Sequence, residues 1–181
     1  MKTLSQRARL LKPSATLAIS AKEKELKSQG VDVVGFGAGE PDFPTPLHIR
    51  DAAKRSLDRG ETFYTPVGGI PDLKKAVAKR FSDDYGLQYK PDEIVVSRGA
   101  KHSLYTILLG MVDEGDEVLI FTPYWVSYPE MVALSGGTPV LVPAREEQRF
   151  LPDPKDVEAL ITPKTTAMLI NSPSNPTGII Y

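Results

Sequence analysis

No cysteine occurs in the 181 residues. That absence removes disulfide frameworks, thiolate metal sites and cysteine nucleophiles together. Histidine is nearly as scarce. His48 and His102 are the only two; they fall in different expected helices without a ligand-spaced partner, so each reads as structural and no metal chemistry is expected. An excess of one charge is missing too: 22 Lys and Arg stand against 23 Asp and Glu, a formal net charge of −1. No one-signed block is long enough to act as a nucleic-acid or membrane tail. Arg7, Arg9 and Lys12 interrupt the first twenty residues, so neither a signal peptide nor a transmembrane helix is readable, and the cytoplasm is the expected location. A Walker A sequence and a Gly-x-Ser-x-Gly elbow are both lacking. Gly35, Gly37 and Gly39 are spaced like part of a dinucleotide loop, but Glu40-Pro-Asp-Phe-Pro44 follows where a helix should begin. A nucleotide-binding module is disfavoured by that context.

What remains is the composition of an ordinary globular chain, with 41% hydrophobic and 25% charged residues. Residues 14–29 read as a helix whose charged run, around Lys22 to Lys27, is a solvated face. Residues 31–36 read as a strand. It empties into a loop stiffened by Pro41, Pro44 and Pro46. Thr45 has the character of an N-cap with Pro46 at the first helical position, and Ile49, Ala52, Ala53 and Leu57 continue with helical spacing. Leu73, Ala76, Val77 and Phe81 mark the next amphipathic helix. Strands are expected at 94–97, 118–121, 139–142 and 165–170, and helices at 100–111 and 126–134. A further helix is capped by Asp153, with Pro154 at its first position. Apolar strands alternating with helices at this spacing imply an α/β fold with a parallel, doubly wound sheet. The supply of elements looks incomplete for a sheet that must be covered on both faces, so the chain is expected to be the front portion of a longer protein.

In open α/β sheets, ligands bind beyond the carboxyl ends of the strands. Three such ends carry unusual residues. Between a strand and a helix lies Ser97-Arg-Gly-Ala-Lys101, where Gly99 and Ala100 let backbone N–H groups approach an anion and Lys101 adds charge. Taken alone, this turn fits phosphate binding and plain close packing equally. Thr122-Pro-Tyr-Trp125 places the single tryptophan at a strand end, where rim packing and a shelf for a flat ring are both open. Asn171-Ser-Pro-Ser-Asn-Pro-Thr-Gly178 is a polar, proline-locked turn able to aim the Asn175 amide, and its rigidity favours function over a plain connection. Together the three ends would suit a phosphorylated aromatic cofactor.

Taken in order, these segments resemble the fold-type-I, class I aminotransferases, the aspartate aminotransferases of Thermus and Bacillus type above all. The likeness runs through Lys12-Pro-Ser-Ala-Thr16, Gly39-Glu-Pro-Asp-Phe43, Tyr64 to Pro71 and Gly99-Ala-Lys101. It continues with Asp116-Glu-Val118, Pro123 to Glu130, and Asn171 to Gly178. It implies a pyridoxal 5'-phosphate-dependent transferase fold and a set of roles. Gly99, Ala100 and Lys101 would form the phosphate cup, Trp125 would stack on the pyridine ring, and Asn175 would donate to the phenolic oxygen. Gly39 would offer its N–H to the substrate α-carboxylate. Tyr64 would reach the cofactor phosphate of a neighbouring subunit in a homodimer. Ser14, Thr16 and Lys101 would meet a distal carboxylate, and Lys12 lies where prephenate-accepting relatives bind substrate.

The resemblance also implies an organisation, in which residues 1–45 contribute to a small domain and 46–181 begin the large cofactor-binding domain. The Schiff-base lysine, the acid facing the pyridine nitrogen and the arginine for the α-carboxylate all follow the Asn-Pro-Thr-Gly turn in this family, so no catalytic residue is expected within 1–181. The implied activity is amino transfer between aspartate or glutamate and a 2-oxo acid in the full-length parent. Prephenate or another amino-acid transamination, a fold-type-I lyase and a non-catalytic fragment are the alternatives.

Overall fold

Three short aliphatic runs bounded by turn residues supply the sheet. The strands β1 (Glu117–Phe121), β2 (Thr138–Val142) and β3 (Thr165–Leu169) run parallel in the order β2-β1-β3. Glu117 faces Thr138 on one side and Thr165 on the other. An irregularity after Glu117 then sets Val118 opposite Ala167. Burial is deepest on the central strand, where Val118, Leu119 and Ile120 are all inaccessible. A continuous apolar run is what a parallel strand covered on both faces requires. The computed structural model describes residues 4–5, 8–9, 11, 14–37, 39 and 41–181.

Strand order dictates where the helices go. These are α1 (Ala15–Ser28), α2 (Leu47–Asp58), α3 (Pro71–Tyr85), α4 (Ala100–Met111), α5 (Ser127–Ser135) and α6 (Pro154–Leu160). The chain passes from β1 to β2 in one direction and from β2 back past β1 to β3 in the other. With right-handed crossovers, α5 and α6 therefore cover opposite faces. Side-chain packing agrees with this. Val118 and Ile120 pack against Leu108, Val112, Tyr128, Met131 and Val132. Phe121, out of phase with them along the strand, instead lines a groove with Pro154, Val157 and Ile161. The doubly wound arrangement expected from the sequence is present in this three-stranded form.

Local chemistry sets the helix ends. The Ser14 hydroxyl accepts from the Leu17 N–H at 3.4 Å and starts α1. Asp153 accepts from the Lys155 N–H at 2.9 Å with Pro154 at the first position of α6, as expected. Two adjacent glycines follow α5 for different reasons. Gly136 has φ 99°, the left-handed conformation of a helix C-cap. At Gly137 a Cβ would sit 2.5 Å from Val112 Cγ1, so close packing forbids a side chain.

Two expected strands do not form. Residues 31–36 have no ladder partner among the described residues, and Val34 and Phe36 are largely exposed. Residues 94–97 hold Val96 by a bond from its N–H to the Gly68 carbonyl at 3.0 Å, without a ladder. Both runs have strand-forming side chains, but pairing decides the outcome. The start of α2 also moves by one residue. Pro46 takes the N-cap with extended ψ 142° and Leu47 opens the helix.

Residues 39–99 form a unit of their own, and 1–38 with 100–181 form the other. In the first, α2 and α3 carry no fully buried side chain, and local bonds shape the turns. Gly69, at φ 105°, lies where a Cβ would be 2.7 Å from Val96 Cγ2. After α2, the Arg59 guanidinium donates to Glu61 at 2.7 and 3.0 Å, and the Ser56 hydroxyl donates at 2.6 Å. The Arg59 bond, then the Ser56 bond, pulls the Glu61 carboxyl down to about 2. Because the value is depressed, the bridge is intact above the ordinary carboxylate range and is lost only as pH falls toward that value. A side-chain NMR titration of Glu61 is expected to show a midpoint well below the usual ~4.3, rising in Ser56→Ala. An ordinary midpoint in the unmodified protein would show that the bridge does not form.

Candidate functional site

At the carboxyl end of β1, Thr122 ties two strand exits together. Its N–H donates to the Val142 carbonyl at 3.0 Å, and its hydroxyl accepts from the Ala144 N–H at 3.1 Å. The residues that follow, Pro123 to Trp125, are therefore delivered from a fixed point. Trp125 is half-buried and packs on the apolar cluster beneath it. Tyr128 meets its indole edge-on at 5.4 Å, with the rings inclined by 85°. Burial raises the Tyr128 phenol above its ordinary value. Over Trp125 lies Lys101, its Nζ 4.8 Å from the ring centroid.

Lys101 belongs to the first turn of α4, where backbone N–H groups have no intrahelical acceptor and the helix dipole is positive. Gly99, immediately before α4, has φ 85°, and a Cβ built there meets nothing within 4 Å. A cavity of about 570 Å³ has Ser14, Thr16, Lys101, Tyr124, Trp125 and Glu130 among its walls.

Four residues singled out from the sequence, Ser14, Thr16, Lys101 and Trp125, therefore converge on one cavity. Ser14, rather than Thr16, caps α1. Ala100 opens the helix that carries Lys101. Asn175 does not line the cavity. It lies on the turn after β3, the strand beside β1, and its backbone N–H donates to Asn171 Oδ1 at 2.9 Å. The same turn is closed by Gly178 donating to the Ser174 carbonyl at 2.7 Å and Ser174 donating to the Ile179 carbonyl at 2.8 Å. Gly39 and Tyr64 belong to the other unit, where Tyr64 is fully exposed. Lys12 lies outside the described residues. Tyr124, Ser127 and Glu130 also line the cavity, and sequence reasoning assigned them no role. The helical spacing of Ser127 and Glu130, i and i+3 on α5, was the available signal.

The donor set suits one kind of ligand. A helix N-terminus, an ammonium and hydroxyls satisfy anionic groups, while a fixed indole accepts a flat ring. Among the described residues, no group of three or more His, Asp or Glu could hold a metal ion. No helix among them is long and apolar enough to cross a membrane.

Comparison with known proteins makes the class specific. A family model for aminotransferase class I and II matches residues 31–181. The aspartate aminotransferase of Geobacillus stearothermophilus is 57% identical over 178 residues, covering 98% of this chain and 45% of that protein. The aspartate/prephenate aminotransferase of Thermus thermophilus is 49% identical over all of this chain and 47% of its own. Among solved structures, the Thermus thermophilus aspartate aminotransferase with maleate matches at a TM-score of 0.96 and 49% identity, covering 100% of this chain and 47% of that one. The chain belongs to the class I and II aminotransferases, and its fold is that of the type I aspartate aminotransferases. It spans about half the length of the curated relatives it matches.

Proposed function

We propose that the full-length protein transfers an amino group between aspartate or glutamate and a 2-oxo acid, using pyridoxal 5'-phosphate. The observation that carries this reading is the convergence of Ser14, Thr16, Lys101 and Trp125 on one cavity at a helix N-terminus. Relatives named for aspartate support the dicarboxylic substrate. Prephenate stays a second acceptor because several relatives carry both names; Lys12 is the residue to examine for it.

Bound pyridoxal phosphate supplies the sink for the electron pair released at the substrate α-carbon. The residues of this chain bind and orient. Gly99, Ala100 and Lys101 hold the phosphate with backbone N–H groups and an ammonium. Trp125 supports the ring, Asn175 donates to the phenolic oxygen, and Gly39 presents its N–H to the α-carboxylate, where the missing side chain allows close approach. Ser14, Thr16 and Lys101 receive the distal carboxylate. Tyr64 serves the phosphate of a second subunit, so the protein works as a homodimer in the cytoplasm. Residues 1–45 contribute to a small domain and 46–181 to the large one.

Asn175→Ala tests the assignment of the amide. A donor to the phenolic oxygen favours its anionic form. Its loss is expected to move the titration of the bound cofactor's absorbance upward by about one to two pH units, the equivalent of one hydrogen bond to a charged group. A titration curve superimposable on that of the unmodified enzyme would remove Asn175 from the site.

A further inference from the structure

We infer that Thr122 is a positioning residue for Trp125, its hydroxyl fixing the point from which the indole reaches the cofactor ring. The role rests on the transaminase reading above, with Trp125 as the ring's support, and adds to it a residue that acts through another. Phe121 and Val142 are the last paired residues of β1 and β2. Continued one step further, a parallel ladder would set Thr122 opposite Pro143. Thr122 would then donate to the Val142 carbonyl and accept from Ala144 at its own carbonyl. The first of these bonds is present at 3.0 Å. In the second, the Ala144 N–H goes instead to the Thr122 hydroxyl oxygen at 3.1 Å. That hydroxyl donates its own proton to the Val142 carbonyl at 3.3 Å. A side-chain oxygen in this place lets the backbone leave the ladder at Thr122 while the two strands stay joined.

The neighbouring residues make that closure necessary. Pro123 has no N–H to donate, so the central strand cannot continue past Thr122, and Pro143 interrupts β2 at the same level. Val142 and Ala144 are both buried, so water does not replace a partner lost there. Without the hydroxyl, the Ala144 N–H loses its acceptor and the two strand exits are free to part. Trp125 stands three residues beyond this point. Its carbonyl accepts from the Tyr128 N–H at 3.0 Å, and its ring meets Tyr128 edge-on. Those contacts join Trp125 to α5, whereas Thr122 joins the segment to the sheet. A ring support must be held to within ~0.5 Å to place its ligand, and both attachments contribute.

A second threonine provides the control. At the opposite, amino end of the sheet, the Thr162 hydroxyl donates to Glu117 Oε2 at 2.7 Å and joins the start of β1 to the approach to β3. Full-length apoprotein carrying Thr122→Val, Thr122→Ala, Thr122→Ser or Thr162→Val is titrated with pyridoxal phosphate, and circular dichroism of the bound cofactor is recorded at saturation. Trp125→Leu and the Thr122→Val/Trp125→Leu double variant are treated alike, and urea midpoints are measured for all. Thr122→Val and Thr122→Ala are expected to weaken cofactor binding about three- to tenfold, the equivalent of one neutral hydrogen bond, and to lower the cofactor's dichroism. Thr122→Ser, which keeps the hydroxyl, should stay within about twofold of the unmodified protein. Thr162→Val should leave both readings unchanged. Once Trp125 is leucine, Thr122→Val should weaken binding no further. If Thr122→Val lowers only the urea midpoint, the hydroxyl is merely structural and the inference is overturned. An equal loss of binding in Thr162→Val, or in the Trp125→Leu background, overturns it as well, because the effect then bypasses Trp125. Should the unmodified protein not bind pyridoxal phosphate, the transaminase reading fails separately. Hydrogen exchange over residues 123–130 then decides: faster exchange in Thr122→Val, restored in Thr122→Ser, supports the positioning role, and unchanged exchange overturns it.

Discussion

Replacing Lys101 with alanine and Thr16 with valine together is expected to remove about one to two decades of the enzyme's preference for aspartate over alanine. Both residues face the cavity beside Trp125. A distal carboxylate entering there leaves water and needs an ammonium and a hydroxyl in exchange. Charge-assisted hydrogen bonds of this kind contribute about 1.5–3 kcal/mol, which sets the size of the effect. Neutral side chains make no such demand, so alanine turnover should change little. A rival assignment gives Lys101 the cofactor phosphate alone and leaves Thr16 without a ligand. Under that assignment the two substrates suffer equally. Comparing kcat/KM for both across the variants decides between them, and equal losses would end the specificity argument.

The second large effect concerns the floor of the site. Ile120 is 1% exposed and packs among Leu108, Val112, Tyr128, Met131 and Val132, the cluster that also supports Trp125. Ile120→Ala leaves a cavity that the surrounding strands and helices cannot close, and is expected to destabilise the protein by about 2–5 kcal/mol. Ile120→Val, which removes one methyl group, should cost about 0.5–1.5 kcal/mol. Urea unfolding of the full-length protein measures both through the transition midpoint at constant slope. A midpoint for Ile120→Ala matching the unmodified protein would show that the cluster is not the load the sheet rests on. Because Tyr128 and Trp125 stand on this cluster, some loss of ring placement should accompany the lost stability.

Much of this was legible in the sequence, for physical reasons that differ by element. Strands β1, β2 and β3 are apolar runs that find partners within the chain, so pattern and pairing agree. The caps at Ser14 and Asp153 act on donors two or three residues away and are readable locally. Residues 31–36 and 94–97 have the same side-chain character, but a ladder depends on a second strand that no local pattern reveals. The cavity follows the same division. Lys101, Trp125, Ser14 and Thr16 sit in segments whose order matches a known family. Tyr124 and Glu130 lie within one of those segments, yet their share in the wall depends on how β1 and α5 are joined. The stacking of Lys101 on Trp125 joins residues far apart in the chain, and only the fold brings them together.

The most direct test of the central claim is amino transfer itself. Full-length protein is purified, loaded with pyridoxal phosphate, and supplied with aspartate and 2-oxoglutarate while oxaloacetate and glutamate are quantified. Cofactor-dependent formation of both products in equal amounts is expected, faster from aspartate than from alanine. Loaded, folded enzyme that forms neither product, or that prefers alanine, would contradict it.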